Sequence, residues 1–118
     1  MSDPAVTIYH NPRCSKSRQT LQLLEQQGIT PHIIQYLQNP PSTETLATVI
    51  RTLGITPRDL LRKGELEYQE NGLQDRSLTD QQLLEAMVRH PRLMERPIVL
   101  ANGKARIGRP PECILEIL

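Results

Sequence analysis

Two short β-rich segments joined by one helix-forming segment fill the first 37 residues, and this pattern restricts the fold more than any other feature. Residues 6–9 predict a strand that ends at the turn-forming residues 10–12. Residues 15–27 predict a helix that Gly28 ends, and residues 32–37 predict a second strand. Strands joined through a helix run parallel with a right-handed crossover. The chain is therefore expected to begin with a parallel β-α-β unit.

Amphipathic and capping patterns predict helices in the middle of the chain. Ser42 is a candidate N-cap for a helix with one apolar face. The apolar positions of that face are Leu46, Val49, Ile50 and Leu53. Capping boxes predict two more helices, one after Thr56 and one after Thr79. Between them, the polar residues 63–77 predict a long surface loop.

The last part of the chain predicts a hairpin and a short helix. Residues 98–107 favour two antiparallel strands with Asn102 and Gly103 at the turn, because both residues tolerate positive φ. A final short helix is expected after Pro111. The apolar residues expected to pack it on the sheet are Ile114, Leu115 and Leu118.

The complete order is β-α-β, helical insertion, β-β-α. It predicts an α/β protein with a mixed four-stranded sheet, because the first strand pair is parallel and the hairpin is antiparallel. This is the order of the thioredoxin-like fold. Residues 1–118 are expected to form one domain, in which about 42–95 is the helical insertion.

Composition excludes several classes of protein. The formal net charge of +1 lacks the basic excess of a general nucleic-acid binder. No apolar run approaches the ~18 residues of a membrane span, and no secretory signal pattern is present, so a cytoplasmic protein without membrane contact is expected. The two cysteines are expected to be reduced thiols. The three histidines show no zinc-binding spacing, so no metal site is expected.

Cys14 is the residue best suited to chemistry. It stands at the N-terminus of the first predicted helix, where free amides and nearby cations stabilise a thiolate. Arg13, Lys16 and Arg18 supply the cations, and the preceding loop is expected to supply amides that cradle a tetrahedral anion. A lone cysteine can instead be an inert buried residue. A polar, basic turn between strand and helix is a poor place for such a residue.

Residues 10–18 read His-Asn-Pro-Arg-Cys-Ser-Lys-Ser-Arg. They match in full the signature His-Asn-Pro-x-Cys-x-x-Ser-Arg, so the chain resembles the glutaredoxin-coupled arsenate reductases and their uncharacterised close relatives. The resemblance continues through residues 39–42, 60–63, 96–99 and 109–110. It implies the same thioredoxin-like fold that the order of elements predicts.

The resemblance also implies a set of functional residues. Cys14 would be the nucleophile that forms a thiol-arsenate adduct, and Arg62, Arg96 and Arg109 would gather around the oxyanion. Guanidinium groups suit this role because each offers paired donors in one plane. The supporting residues are His10, Asn11, Ser17, Arg18 and Pro97, the last in the cis form. No bound cofactor is implied; glutathione would be the co-substrate, and glutaredoxin would reduce the resulting mixed disulfide.

Some positions leave alternatives open. Arg13, Ser15 and Lys16 depart from the smaller or differently charged residues usual in the arsenate-resistance members, so another oxyanion or a glutathione mixed disulfide could be the substrate. Regulators that bind RNA polymerase and sense oxidation through Cys-x-x-Cys share the fold, but Ser17 replaces their second cysteine. Cys113 is expected to pack in the final helix and not to resolve Cys14. Four other arginines are expected on the solvated surface: Arg58, Arg76, Arg89 and Arg92.

Overall fold

The computed structural model describes residues 3–118, with residues 3–5 described by their backbone alone, so the first two residues of the predicted domain lie outside it. Its contacts divide the chain into two units. The sheet unit contains the chain up to residue 39 together with residues 96–118. The helical unit contains residues 40–95. Each unit is described below by itself.

The sheet unit contains one four-stranded sheet in the order β2-β1-β3-β4. Its elements are β1 (Asp3–Tyr9), α1 (Ser15–Gln26), β2 (Pro31–Ile34), β3 (Ile98–Ala101), β4 (Lys104–Ile107) and a final 3₁₀ helix (Pro111–Ile117). Strand β1 pairs parallel with β2 and antiparallel with β3, and β3 pairs antiparallel with β4. The predicted mixed sheet and thioredoxin-like α/β fold are therefore confirmed.

The register of the sheet brings several chain segments to one edge. Tyr9 lies opposite Ile34 on one side and Ile98 on the other, and Ile98 lies opposite Ile107. The residues that follow Tyr9, precede Ile98 and follow Ile107 therefore emerge at the same end of the sheet. Lys104 pairs with Ala101 at the opposite end.

An aliphatic cluster joins α1, the sheet and the final 3₁₀ helix. Its buried members are Val6, Ile8, Leu24, Val99, Ala101, Ile114 and Ile117. Full burial of each large aliphatic side chain contributes about 1.5–3 kcal/mol. The expectation that Leu115 and Leu118 pack on the sheet is wrong, because they are 41% and 38% exposed. A 3₁₀ helix has three residues per turn, so Ile114 and Ile117 share its inner face.

The β2 strand is shorter than predicted, ending at Ile34 and not at residue 37. The amides of Gln38 and Asn39 both donate to the carbonyl oxygen of Gln35, at 3.0 and 2.9 Å, and these bonds turn the chain. Tyr36 still lies inside the protein, at 1% exposure. The hydrophobic residue at this position therefore indicates burial within a turn and not a longer strand.

The hairpin turn forms where the sequence predicts it. Asn102 and Gly103 have φ of 55° and 74°, the left-handed values that a two-residue turn between antiparallel strands requires. The side-chain amide of Asn102 also donates to the carbonyl oxygen of Ile117 at 2.8 Å. This bond ties the end of the final 3₁₀ helix to the hairpin.

The helical unit contains α2 (Thr43–Leu53), α3 (Pro57–Leu60), α4 (Leu66–Glu70), α5 (Asp80–Arg89) and a 3₁₀ turn (Pro91–Leu93). The predicted caps are confirmed: Ser42 Oγ accepts the amide of Thr45, and Thr56 and Thr79 each begin a reciprocal capping box. None of the helices described between residues 3 and 118 has the length and hydrophobicity that crossing a membrane requires.

Two expectations for the helical unit are wrong. The predicted loop 63–77 contains the short helix α4, which carries no buried residue, so its amphipathic signal is weak. Arg58 is not simply solvated, because its guanidinium donates to the carbonyl oxygens of Leu73 and Asp75, each at 2.9 Å. These two hydrogen bonds hold in place the segment that follows α4.

Candidate active site

Cys14 lies at the N-terminus of α1, at the edge of the sheet where β1 ends. It is the N-cap residue, with an extended backbone (φ −95°, ψ 124°), and it is 9% exposed. Its carbonyl oxygen accepts the amide of Arg18 at 3.0 Å, which is the first bond of the helix. Its side chain makes no capping bond. The sulfur is thus held at a helix terminus without being used to cap it.

Internal hydrogen bonds fix the loop between β1 and Cys14. The amide of Cys14 donates to the carbonyl oxygen of Asn11 at 3.0 Å, and the amide of Arg13 donates to Asn11 Oδ1 at 3.0 Å. The guanidinium of Arg18 donates to the carbonyl oxygen of Pro12 at 2.9 Å. Asn11 therefore closes the turn, and Arg18 holds its outer side.

A buried pair of polar side chains, His10 and Ser17, stabilises the loop through hydrogen bonds. His10 Nδ1 and Ser17 Oγ are 2.6 Å apart, and Ser17 Oγ also accepts the amide of Asn11 at 3.0 Å. Ser17 is fully buried and His10 is 6% exposed. Burial, and then the charge of Arg18, lower the pKa of His10 below its ordinary value of 6.5. Both effects favour the neutral form of the imidazole.

The amides available for an anion are not those that the sequence predicts. The amides of Asn11, Arg13 and Cys14 all donate within the loop. The amides of residues 15–17, in the first helical turn, have no hydrogen-bond partner among the residues described. A helix leaves its first amides unpaired, and these carry the positive end of its dipole. The donors that could hold an anion are therefore in α1 itself.

Arg109 extends from the end of β4 to the sulfur. Its NH2 atom lies 3.9 Å from Cys14 Sγ, and its Nε donates to the carbonyl oxygen of Arg96 at 2.9 Å. One edge of the guanidinium is thus anchored to the backbone while another atom faces the thiol. This arrangement places a permanent positive charge beside Cys14.

Arg96 and Pro97 precede β3 at the same edge of the sheet. The Arg96-Pro97 peptide bond is cis, as the resemblance implies, and the Arg109-Pro110 bond is cis as well. Arg96 Nε is buried and has no hydrogen-bond partner among the described residues. A buried, unpaired donor is costly, so an acceptor that completes it would be favourable.

Arg62 belongs to the helical unit, where two carboxylates flank it. Its NH1 lies 3.1 Å from Glu65 Oε1, and its Nε lies 3.2 Å from Glu95 Oε1. The contact to Glu65 is close enough for an ion pair but is not aligned as a hydrogen bond, since NH1 has no such partner. A place for Arg62 around the oxyanion stays a prediction.

Sequence reasoning missed two residues that position the site. Thr20 is fully buried one turn after Ser17, and its Oγ1 donates to the carbonyl oxygen of Lys16 at 2.8 Å. Gly108 donates its amide to the carbonyl oxygen of Pro97 at 2.9 Å, and a Cβ there would lie 2.5 Å from Thr20 Oγ1. The spacing of Ser17, Thr20 and Leu24 on one helix face is the signal that could have identified Thr20.

Both cysteines are free thiols. Cys113 is half-buried in the final 3₁₀ helix. Within residues 3–118, no group of three or more His, Cys, Asp or Glu side chains is arranged to hold a metal ion. This edge of the sheet carries the Cys14 thiol, the guanidinium of Arg109 and the N-terminus of α1.

The chain is similar to several known proteins. Residues 9–117 match the model of the ArsC family. The chain is 54% identical over 114 residues to the uncharacterised protein YfgD of Escherichia coli strain K12, across 96% of each chain. It is 47% identical over 116 residues to a protein named arsenate reductase from Neisseria meningitidis serogroup A, covering 98% of this chain and 99% of that one. A solved structure named arsenate reductase from Vibrio cholerae has a TM-score of 0.94 and 52% identity, covering 98% of this chain and 100% of its own. By these matches the chain belongs to the ArsC family, as its signature predicts.

Proposed function

We propose that this protein reduces arsenate to arsenite through Cys14, with glutathione as co-substrate and glutaredoxin as the next reductant. The observation that carries the proposal is the 3.9 Å approach of Arg109 NH2 to Cys14 Sγ at the N-terminus of α1. A thiolate and a tetrahedral anion both need positive surroundings, and this edge offers a guanidinium and three amides that have no partner in the described part of the chain.

In the first step, the Cys14 thiolate attacks the arsenic atom. A sulfur-arsenic bond forms, and one arsenate oxygen leaves as water after taking up protons. The amides of residues 15–17 and the guanidinium of Arg109 stabilise the oxyanion during this exchange. The buried Nε of Arg96 finds its missing acceptor in the same anion. By the resemblance, Arg62 is the third arginine of the set.

In the second step, the thiolate of glutathione attacks Cys14 Sγ. The sulfur-arsenic bond breaks and its electron pair passes to arsenic, which is reduced from As(V) to As(III). The two thiols are oxidised to a mixed disulfide between Cys14 and glutathione. Glutaredoxin then restores the Cys14 thiol by thiol-disulfide exchange, at the expense of a further glutathione.

A thiol from solution is needed because the chain has no second cysteine beside the first. Ser17 occupies the position of a resolving cysteine, and its oxygen is already engaged with His10 and Asn11. Reduced thiols and the glutathione system are features of the cytoplasm, so we assign the activity to that compartment.

A coupled assay tests the proposal. Purified protein, arsenate, glutathione and glutaredoxin should consume NADPH through glutathione reductase, and Cys14→Ser should abolish turnover. Mass spectrometry after one turnover should find glutathione joined to Cys14. Two results would overturn the mechanism: no arsenite from the wild-type protein, or a disulfide between Cys14 and Cys113 in place of the glutathione adduct.

A further inference from the structure

Three exposed cations surround Cys14 without carboxylate partners. Arg13, Lys16 and Arg18 are all exposed, and none of them takes part in an ion pair with the residues that the structure describes. Residues 10–18 contain no Asp or Glu, and the first turn of α1 has no acidic residue. The positive charge around the thiol is therefore not neutralised by its own loop and helix turn. We call these three residues the cationic rim.

The cationic rim is unfavourable for the helix that carries it. The N-terminus of a helix is the positive end of its dipole, so cations there are destabilising and acidic residues are favoured. Lys16 lies in the first turn of α1, and Arg13 directly precedes its N-cap. A departure from the usual helix preferences, such as cations at a helix N-terminus, is expected at functional sites. Here an anionic ligand would supply the missing negative charge.

The cationic rim also flanks the buried Cys14 along the chain. Cys14 is buried, while the residues on each side of it, Arg13 and Ser15, and the next along the helix, Lys16, are exposed. A molecule that brings a thiol to Cys14 therefore reaches a buried residue whose exposed neighbours in the chain include two cations. Arg18 is held against the loop by its bond to Pro12. The side chains of Arg13 and Lys16 make no hydrogen bond or ion pair with the described residues, so they can turn toward a ligand.

We propose that Arg13 and Lys16 bind the carboxylates of glutathione while its thiol meets Cys14. The inference rests on the proposed function and assigns its co-substrate to residues outside the family signature. Glutathione carries two carboxylates and one ammonium group, so it is a small anion with its thiol between charged ends. Long, exposed cationic side chains before and after Cys14 in the chain match that arrangement in charge.

The size of the cationic rim favours a small ligand over an acidic protein surface. A stable protein interface buries roughly 800 Å² on each partner, with about 20–30 residues on each side. Three charged side chains around one thiol are a small fraction of such an area. They are sufficient for a tripeptide, which contacts only a few side chains.

Thiol-disulfide exchange with charged and neutral disulfides tests this inference without arsenate. The Cys14 thiolate attacks one sulfur of glutathione disulfide, a new disulfide forms with Cys14, and one glutathione leaves as a thiolate. The same reaction with neutral hydroxyethyl disulfide gives a reference rate. The ratio of the two rate constants reports charge recognition, because changes in the reactivity of Cys14 itself affect both reactions.

The variant for this test is Arg13→Gln/Lys16→Gln. Its ratio should fall roughly two- to 25-fold, since each of the two exposed charge pairs is worth a factor of roughly 1.4 to 5. The wild-type ratio should also fall as salt concentration rises. Lys104→Gln is the matched control, because it removes one exposed cation at the opposite end of the sheet.

Three outcomes would overturn the inference. The first is an unchanged ratio in the double variant, and the second is an equal fall in Lys104→Gln, which would report net charge alone. The third is an unchanged ratio with slower reduction of the Cys14-glutathione disulfide by glutaredoxin, which would assign the cationic rim to the protein partner. Failure of arsenate turnover with a normal fall in the ratio would refute the proposed function and leave this inference standing.

Discussion

Replacing Ser17 with alanine should destabilise the protein strongly although it removes a single oxygen atom. Ser17 Oγ is fully buried, lies 2.6 Å from His10 Nδ1 and accepts the amide of Asn11 at 3.0 Å. In Ser17→Ala both groups lose this partner inside the protein. A buried polar group left unpaired costs about 1–3 kcal/mol.

The two losses differ in size. His10 is buried and should contribute most of the cost, while Asn11 is only partly buried and water can reach its amide. We therefore expect Ser17→Ala to lower the free energy of unfolding by about 2–4 kcal/mol. At roughly 4 °C for each kcal/mol in a domain of this length, the melting temperature should fall by about 8–16 °C.

Urea and thermal unfolding followed by circular dichroism measure this effect. Ser15→Ala is the matched control, because Ser15 is exposed in the same helical turn. A double-mutant cycle with His10→Ala should give a coupling energy of about 0.5–3 kcal/mol. If Ser17→Ala is within about 0.5 kcal/mol of the wild type, as a surface substitution would be, the His10–Ser17–Asn11 network does not stabilise the loop.

Three further predictions concern the site. Because the pKa of folded His10 is depressed below 6.5, its contribution to stability is complete above that pH and lost as the pH falls through the folded value. Urea unfolding should therefore give a free energy of unfolding that falls from neutral to mildly acidic pH. His10→Asn should make this pH dependence weaker. Arg96→Lys and Arg109→Lys should each lower kcat/KM for arsenate by roughly 10- to 150-fold, the equivalent of about 1.5–3 kcal/mol for a hydrogen bond to a charged group. The circular dichroism spectra of both variants should match that of the wild type. Unchanged kinetics in both variants would show that these arginines are not part of the site. Cys113→Ser should keep most glutathione-dependent turnover. Loss of turnover in this variant would show that Cys113 takes part in the chemistry.

The sequence by itself determined the order of the strands and of the helices other than α4, together with the position of the candidate nucleophile. These features depend on contacts within a few residues: the capping boxes at Thr56 and Thr79, the Asn102-Gly103 turn, and the placement of Cys14 between a strand and a helix. Local preferences of this kind are encoded in adjacent residues, so they can be predicted without knowledge of the rest of the fold.

Only the tertiary structure decided which donors face the thiol. Arg109 lies 95 residues after Cys14, and the pairing of β1 with β3 and of β3 with β4 brings the two together. The same pairing places Gly108 against Thr20, and the hydrogen bonds of the loop leave the amides of the first helical turn as the unpaired ones. The bends at Gln35 and the 3₁₀ geometry of residues 111–117 also changed which apolar side chains are buried. These outcomes depend on long-range packing and on which hydrogen-bond partner each backbone group finds in the folded chain. A pattern of adjacent residues does not carry this information.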